Sequence, residues 1–351
     1  MGAMLGRAFG ERGVRRKASL WLSGAAVFVG LASCASAPAA RSAGSTTPVV
    51  SSVTATEATV SSTVAATPAT GPPASGPPKF LWGYGDPLLC GPPRPAETLQ
   101  AVDANRRSSP LALPVSVRHE RILLVGDSTA CSLWPGLNAA ASSVGMATYQ
   151  GVVFGCGIAS DEITTTRNES ITPHSDRCRA LVDWAVHNAL ARARPTIVIW
   201  MSVWEKSDLV IGGHTIVAET PQWEAEIMSR MDTALARLTA GGARVAVVTE
   251  AAPAPNPAQR TETTDRKADD AGYVRLDTLL RKFQARHPDS VTLVDLAAKL
   301  CPRGPPCPAF VAGTQPRPDG RHFPPSAATW AARWLLSELF PTRTMNLPSR
   351  S

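Results

Sequence analysis

Four apolar residues in a row, Ile122-Leu123-Leu124-Val125, followed at once by Gly126-Asp127-Ser128, constrain this chain more than any other stretch. A short uninterrupted apolar run reads as a strand buried on both faces, which a parallel sheet between helix layers requires. Gly126 lets the chain turn sharply at the carboxyl end of that strand, and Leu133, Leu137 and Ala141 then fall on one helical stripe. A serine at that junction opens into the crevice at the strand ends, where open α/β sheets bind ligands. The amides of the next helix face the same space, which suits a nucleophile and part of an oxyanion hole. Taken alone, the motif also has a plainer reading, with Asp127 and Ser128 only capping a helix.

The rest of the chain repeats the strand-helix alternation. Residues 148–154 read as a second strand closed by Gly155-Cys156-Gly157, with a polar loop to Pro173. Cys178, Leu181, Val182, Ala185 and Leu190 mark a helix that stops before Pro195. Residues 196–201 form a third strand leading into Ser202-Val203-Trp204-Glu205. Thr220 caps a helix with Pro221 in its first turn, and Trp223, Ile227, Ala234, Leu235 and Leu238 face inward up to Gly241-Gly242. A fourth strand (244–249), a proline-rich loop (252–257), a helix (274–286) and a strand (291–294) follow. Ser326 is expected to cap a last helix that carries Trp330 and Trp334 and stops at Pro341. The pattern predicts a three-layer α/β/α sandwich around a mainly parallel sheet, with right-handed crossovers. Ser128, Gly155, Trp204, the proline-rich loop and the segment before the last helix should then share one rim.

The N-terminus predicts export. A basic leader precedes an apolar run, Leu20 to Ala32, too short for an ordinary transmembrane helix. It ends in Leu31-Ala32-Ser33-Cys34, similar to a bacterial lipobox with Cys34 as the lipidated residue; secretion with cleavage after Ala35-Ser36-Ala37, or an uncleaved anchor, are the alternatives. The organisation expected is a signal segment (1–34), a disordered tether (35–79) of Ala, Ser, Thr, Pro and Gly, a folded domain (80–341) and a tail (342–351). The formal net charge is +7, of which the leader supplies a net four. What remains is too small, and lacks the basic stripe with interleaved aromatics, for nucleic acid to be a partner.

Setting Cys34 aside, six cysteines remain. An even number in an exported chain points to disulfides. Cys301 and Cys307 flank a short loop and are the pair with the best local argument. Cys156 with Cys178 and Cys90 with Cys131 are plausible among the other pairings, and buried free thiols are the alternative. No CxxC or HxxxH spacing appears, so the chain is read as using no metal and no cofactor.

The second half of a site stands at Pro318-Asp319-Gly320-Arg321-His322-Phe323, just before the last helix. There His322 is placed to act as general base toward Ser128, and Asp319 to orient the imidazole. Asp-Gly is also an ordinary turn signal, so the pair gains meaning only together with Ser128 on the same rim.

Gly126-Asp127-Ser128 after a strand, a glycine after the second strand and Asp319-Gly320-Arg321-His322-Phe323 resemble the SGNH (GDSL-like) hydrolase family over about residues 118–340. The wording around Ser128-Thr129-Ala130-Cys131-Ser132-Leu133 and the pair Trp204-Glu205 look closest to the extracytoplasmic SGNH domains of membrane acyltransferases that O-acylate envelope glycans. The resemblance implies a flavodoxin-like SGNH fold and a serine esterase or O-acyltransferase. Ser128 would be nucleophile, His322 base and Asp319 orienter. The Ser128 amide with Gly155 or Gly157 would form the oxyanion hole. Trp204 and Glu205 are candidates for sugar binding, Trp204 with core packing and Glu205 with simple solvation as alternatives. The expected partner is a carbohydrate ester of the cell envelope, with the membrane reached through a lipid anchor and acyl transfer needing a separate membrane acyltransferase. One departure stands out. The family usually supplies an oxyanion asparagine after the third strand, where this chain has Ser202-Val203-Trp204-Glu205. Losing one such donor costs on the order of 3 kcal/mol of transition-state stabilisation unless Ser202 stands in. The rival function is a non-catalytic glycan-binding or scaffold lipoprotein.

Overall fold

Buried apolar strands organise the molecule. The computed structural model describes residues 89–159, 163–164, 172–255 and 263–342. The expected signal segment with Cys34, the tether, the domain start at Phe80 and the tail beyond Thr342 lie outside the described residues.

Five strands, β1 (Arg121–Gly126), β2 (Ala147–Val152), β4 (Ile197–Met201), β7 (Arg244–Val248) and β8 (Val291–Val294), form one sheet in the order β2-β1-β4-β7-β8. Every pairing is parallel. Ile122, Leu123, Leu124 and Val125 are fully buried and β4 is buried along its whole length, as expected of strands covered on both faces. The chain runs from β1 to β2 in one direction and then back past β1 through β4, β7 and β8. Right-handed crossovers therefore put α2 (Ser128–Ser142) on one face and α3 (Thr172–Ala193), α4 (Pro221–Thr239) and α5 (Thr263–Arg286) on the other. The final helix, α7 (Pro325–Leu339), and α1 (Pro95–Arg107) pack against α2. This is the three-layer α/β/α architecture, with its topological switch point between β1 and β4.

Local chemistry accounts for most boundaries. Thr220 caps α4 by accepting the Trp223 amide, and all five residues of its expected inner face are buried. Leu133, Leu137 and Ala141 of α2 are fully buried. One expectation changes, and one segment shows structure of its own. Ser326 is not a cap: α7 starts at Pro325 after an extended Pro324, and no side chain caps it. The chain between the third and fourth parallel strands is not mere connection. It holds β5 (Asp208–Ile211) and β6 (His214–Ile216), a hairpin to which β3 (Ile163–Thr164) adds a third antiparallel strand. Gly212-Gly213 at its tip is a two-residue hairpin signal present in the sequence. The short α6 (Leu296–Leu300) follows β8 directly, with Asp295 as its cap.

Three disulfides are present: Cys90–Cys131, Cys156–Cys178 and Cys301–Cys307. The first ties the segment before α1 to the first turns of α2. The second ties the loop after β2 to α3.

Candidate active site

The nucleophile candidate sits on a turn with little freedom. Gly126 has φ +149°, and a Cβ there would lie 1.7 Å from the Met201 carbonyl oxygen of β4, so no other residue fits. Asp127 is fully buried, and its carboxylate fastens the turn on two sides. Oδ1 accepts the Thr129 amide at 2.9 Å and the Thr129 hydroxyl lies 2.7 Å away, while Oδ2 accepts the Val203 amide at 2.9 Å. Ser128 is then the first residue of α2, so its amide has no intrahelical acceptor.

The other half comes from the loop before α7. Gly320, with φ +92°, lets its own carbonyl accept the Ala254 amide at 2.9 Å, and thereby joins this loop to the proline-rich loop after β7. Asp319 Oδ1 accepts the amides of Arg321 and His322 at 2.9 and 2.7 Å, and Oδ2 meets His322 Nδ1 at 2.6 Å. His322 Nε2 lies 3.0 Å from Ser128 Oγ. Burial alone would raise the Asp319 carboxyl; the amide and imidazole bonds outweigh it and hold it below the ordinary aspartate range. Nδ1 therefore carries the proton facing Asp319, and Nε2 is left to accept from the serine hydroxyl.

Ser132 joins the two halves. Its hydroxyl donates to the Thr129 carbonyl at 2.7 Å and accepts the Phe323 amide at 3.1 Å. Ser128, Cys131, Ser132 and Pro135 all line one cavity of about 510 Å³, together with His322. Their spacing is one face of α2, a signal the sequence carries. The segment Cys90-Gly91-Pro92-Pro93-Arg94 supplies the opposite wall, and Trp134, Phe154 and Phe323 add aromatic surface. Residues so far upstream reach the site through the Cys90–Cys131 disulfide, one of the pairings the sequence left open.

Several sequence candidates are placed elsewhere. Glu205 does not face the cavity: it is buried, and Oε1 accepts the amides of Ile158 and Ala159 at 2.8 and 3.2 Å. Its carboxylate organises the loop after β2, which corrects its assignment to sugar binding and its solvated alternative alike. Trp204 is half-buried against the core and does not line the cavity. Ser202 is buried; its hydroxyl accepts the Trp204 amide at 3.4 Å and bonds the Glu205 carboxyl, which burial pushes up and this bond partly lowers, so it is occupied away from Ser128. Gly155, at φ +68°, follows Phe154 of the cavity wall, whereas Gly157 lines a separate hollow between α3 and α4. Among the described residues, no asparagine or glutamine lines the Ser128 cavity and no group of three or more His, Cys, Asp or Glu side chains is placed to hold a metal ion.

No curated protein sequence matches the chain. Among solved structures, the periplasmic domain of a Salmonella ser. Paratyphi A lipopolysaccharide acetyltransferase aligns at 11% identity, covering 63% of this chain and 84% of that one, with a TM-score of 0.39. A putative acylhydrolase from Bacteroides fragilis aligns at 12% identity, covering 71% and 97%, with a TM-score of 0.36. A Myceliophthora fergusii carbohydrate esterase family 2 enzyme with its carbohydrate-binding domain aligns at 11% identity, covering 63% and 65%, with a TM-score of 0.38. The model of the SGNH domain family, described as fused to AT3 domains, matches residues 100–335, well over half of the chain, and the protein belongs to that family.

Proposed function

We propose that this protein is an exported serine esterase or O-acyltransferase that works through an acyl-serine intermediate on acyl esters, acetyl above all, of cell-envelope glycans. The observation that carries the reading is the unbroken set of contacts Asp319–His322–Ser128, at 2.6 and 3.0 Å, opening into a cavity. Ser128 attacks the ester carbonyl while His322 Nε2 takes its proton, and Asp319 stabilises the imidazolium that forms. The imidazolium then protonates the departing alkoxide, leaving the acyl group on Ser128. Water or a sugar hydroxyl, deprotonated in turn by His322, removes it. The oxyanion is assigned to the Ser128 amide and the glycine next to the cavity wall, Gly155. At about 510 Å³, the cavity far exceeds an acetyl group and fits the alcohol portion of a glycan ester, with prolines and aromatics as flat surfaces for sugar rings. Family membership supports acyl-ester chemistry, and three disulfides support an oxidising, extracytoplasmic setting. Anchoring through Cys34, and a separate membrane acyltransferase as acyl donor, belong to the same proposal.

The test is covalent labelling by a fluorophosphonate, followed by incubation of the protein with acetylated and unacetylated cell-wall fractions. Wild type is expected to label and Ser128→Ala to remain unlabelled. Acetate release identifies an esterase; acyl gain from a donor identifies a transferase. Folded wild type that neither labels nor turns over, yet binds the glycan, would leave a binding module instead.

A further inference from the structure

Three buried carboxyls gather behind Ser128: Asp127, Glu205 and Glu250 at the end of β7. Asp127 and Glu205 each accept backbone amides. Glu250 accepts none that is seen; Oε1 instead lies 2.8 Å from the Thr129 hydroxyl. That same hydroxyl lies 2.7 Å from Asp127 Oδ1. A threonine hydroxyl has one proton to give, so it can donate to only one of these two carboxyls and must accept from the other. Asp127 already takes an amide on each oxygen, which fixes it as the acceptor. The remaining proton therefore belongs to the glutamic acid.

We infer that Glu250 is protonated in the working protein and, by donating to Thr129, positions the turn that presents Ser128 to His322. Glu250 O–H donates to Thr129 Oγ1, Thr129 O–H donates to Asp127, and Asp127 holds the Val203 amide at the end of β4. The residues on both sides of Ser128 are thereby tied to the ends of β4 and β7, the two strands that follow β1 in the order of the sheet. The surroundings agree. Asp127, Glu205, Tyr273, Arg317 and Arg321 are the titratable or charged groups that face Glu250 from the neighbouring elements. Arg317, buried itself, gives Nη1 to the Ala251 carbonyl at 2.7 Å, and Arg321 pairs with Asp269 at 2.6 Å. Among the described residues no cation forms an ion pair with Glu250. Burial first, and the Asp127 charge second, push its carboxyl well above the ordinary glutamate range.

Glu250 is a positioning residue, and its role in activity rests on the reading of Ser128 as nucleophile; its protonation does not. Two measurements keep these apart. In the first, urea unfolding of wild type and Glu250→Gln is compared across pH. A glutamine amide can donate to Thr129 as the acid does, but it does not titrate. A carboxyl raised in the folded state loses stability as pH rises from its unfolded value, about 4.3, toward its folded one. The ratio of the two folding constants should shift in favour of the glutamine variant by up to tenfold per pH unit in that window and then level off. In the second, the rate of fluorophosphonate labelling at Ser128 should fall in Glu250→Ala and in Thr129→Val and be rescued in Glu250→Gln, with the Gln-to-wild-type ratio rising toward alkaline pH. A stability ratio that stays flat with pH, or a glutamine variant as unstable as the alanine one, overturns the proposal and makes Glu250 a charged partner of Arg317. A rising stability ratio without labelling of any variant keeps the protonated Glu250 and removes the enzyme reading instead.

Discussion

The two loops that meet at the site are built in opposite ways. The Ser128 turn is held by buried backbone: Gly126 lies against β4, and Asp127 is sealed from solvent between the first and third strands of the sheet. The Asp319–His322 loop lies at the surface, with the two side chains 47% and 40% exposed. Side chains and a few loop contacts hold it: Asp319 folds it on itself, Ser132 anchors Phe323, Gly320 meets Ala254 and Arg321 pairs with Asp269. One half of the site is thus an extension of the core, and the other a surface loop fastened mainly by side-chain bonds. Both halves serve positioning: the base is held within reach of the hydroxyl by Asp319, and the nucleophile is fixed by the turn against an oxyanion site.

Substitutions can break this contrast. The largest structural effect should come from Gly126→Ala, which forces a methyl group into the Met201 carbonyl in a conformation that alanine disfavours. We expect a loss on the order of 3 kcal/mol or more, seen as a lowered urea midpoint or no cooperative transition. Gly320 is buried at φ +92°, and Gly320→Ala meets the Ala254 carbonyl at 2.7 Å. It should lower stability by about 1–3 kcal/mol, less than Gly126→Ala, and slow labelling of Ser128; equal destabilisation by both glycine substitutions would erase the contrast. Next, Asp319→Asn should keep the fold and lower turnover by about 10²–10⁴-fold, because the imidazole loses both its tautomer and its counter-charge. Ser132→Ala removes the bond between the halves. It should cost about 1 kcal/mol in stability and slow labelling more than it weakens substrate binding, checked by a kcat-against-KM comparison.

The smallest effect expected is at acid pH. Asp319 is held below its unfolded value of about 3.9, so its contribution is present above that value and fades as pH falls through the folded one. Acid unfolding should therefore begin at the loop. Amide exchange at Arg321 and His322 should rise in that window before exchange at Thr129 and Val203 does.

Much of this was open to a reader of the sequence. The parallel sheet is legible because a strand buried on both faces must be apolar at every position, as Ile122 to Val125 are, and helices must carry a stripe, as α4 does. The small β3-β5-β6 sheet is less so, since its strands are two to four residues long and one of them is distant in the chain. Within the site, Ser128, Asp319 and His322 stand out as residue types at the ends of strands and before a helix. Glu205 misleads, because a Trp-Glu pair at a strand end looks the same whether the carboxylate meets solvent, a sugar or two buried amides.

What the sequence determined by itself was therefore periodic and local: which segments are buried on one face or on both, where Gly126 and Gly320 permit a turn, and which side chains have chemistry to offer. Tertiary structure alone decided what depends on distance across the chain. It set the 3.0 Å between residues 194 positions apart, and it swung the Cys90–Arg94 segment onto the cavity. It also put one threonine hydroxyl between two carboxyls. Periodicity reports the environment of each residue averaged over an element, whereas hydrogen bonds and proton positions depend on tenths of an ångström between elements, which only the packed fold sets.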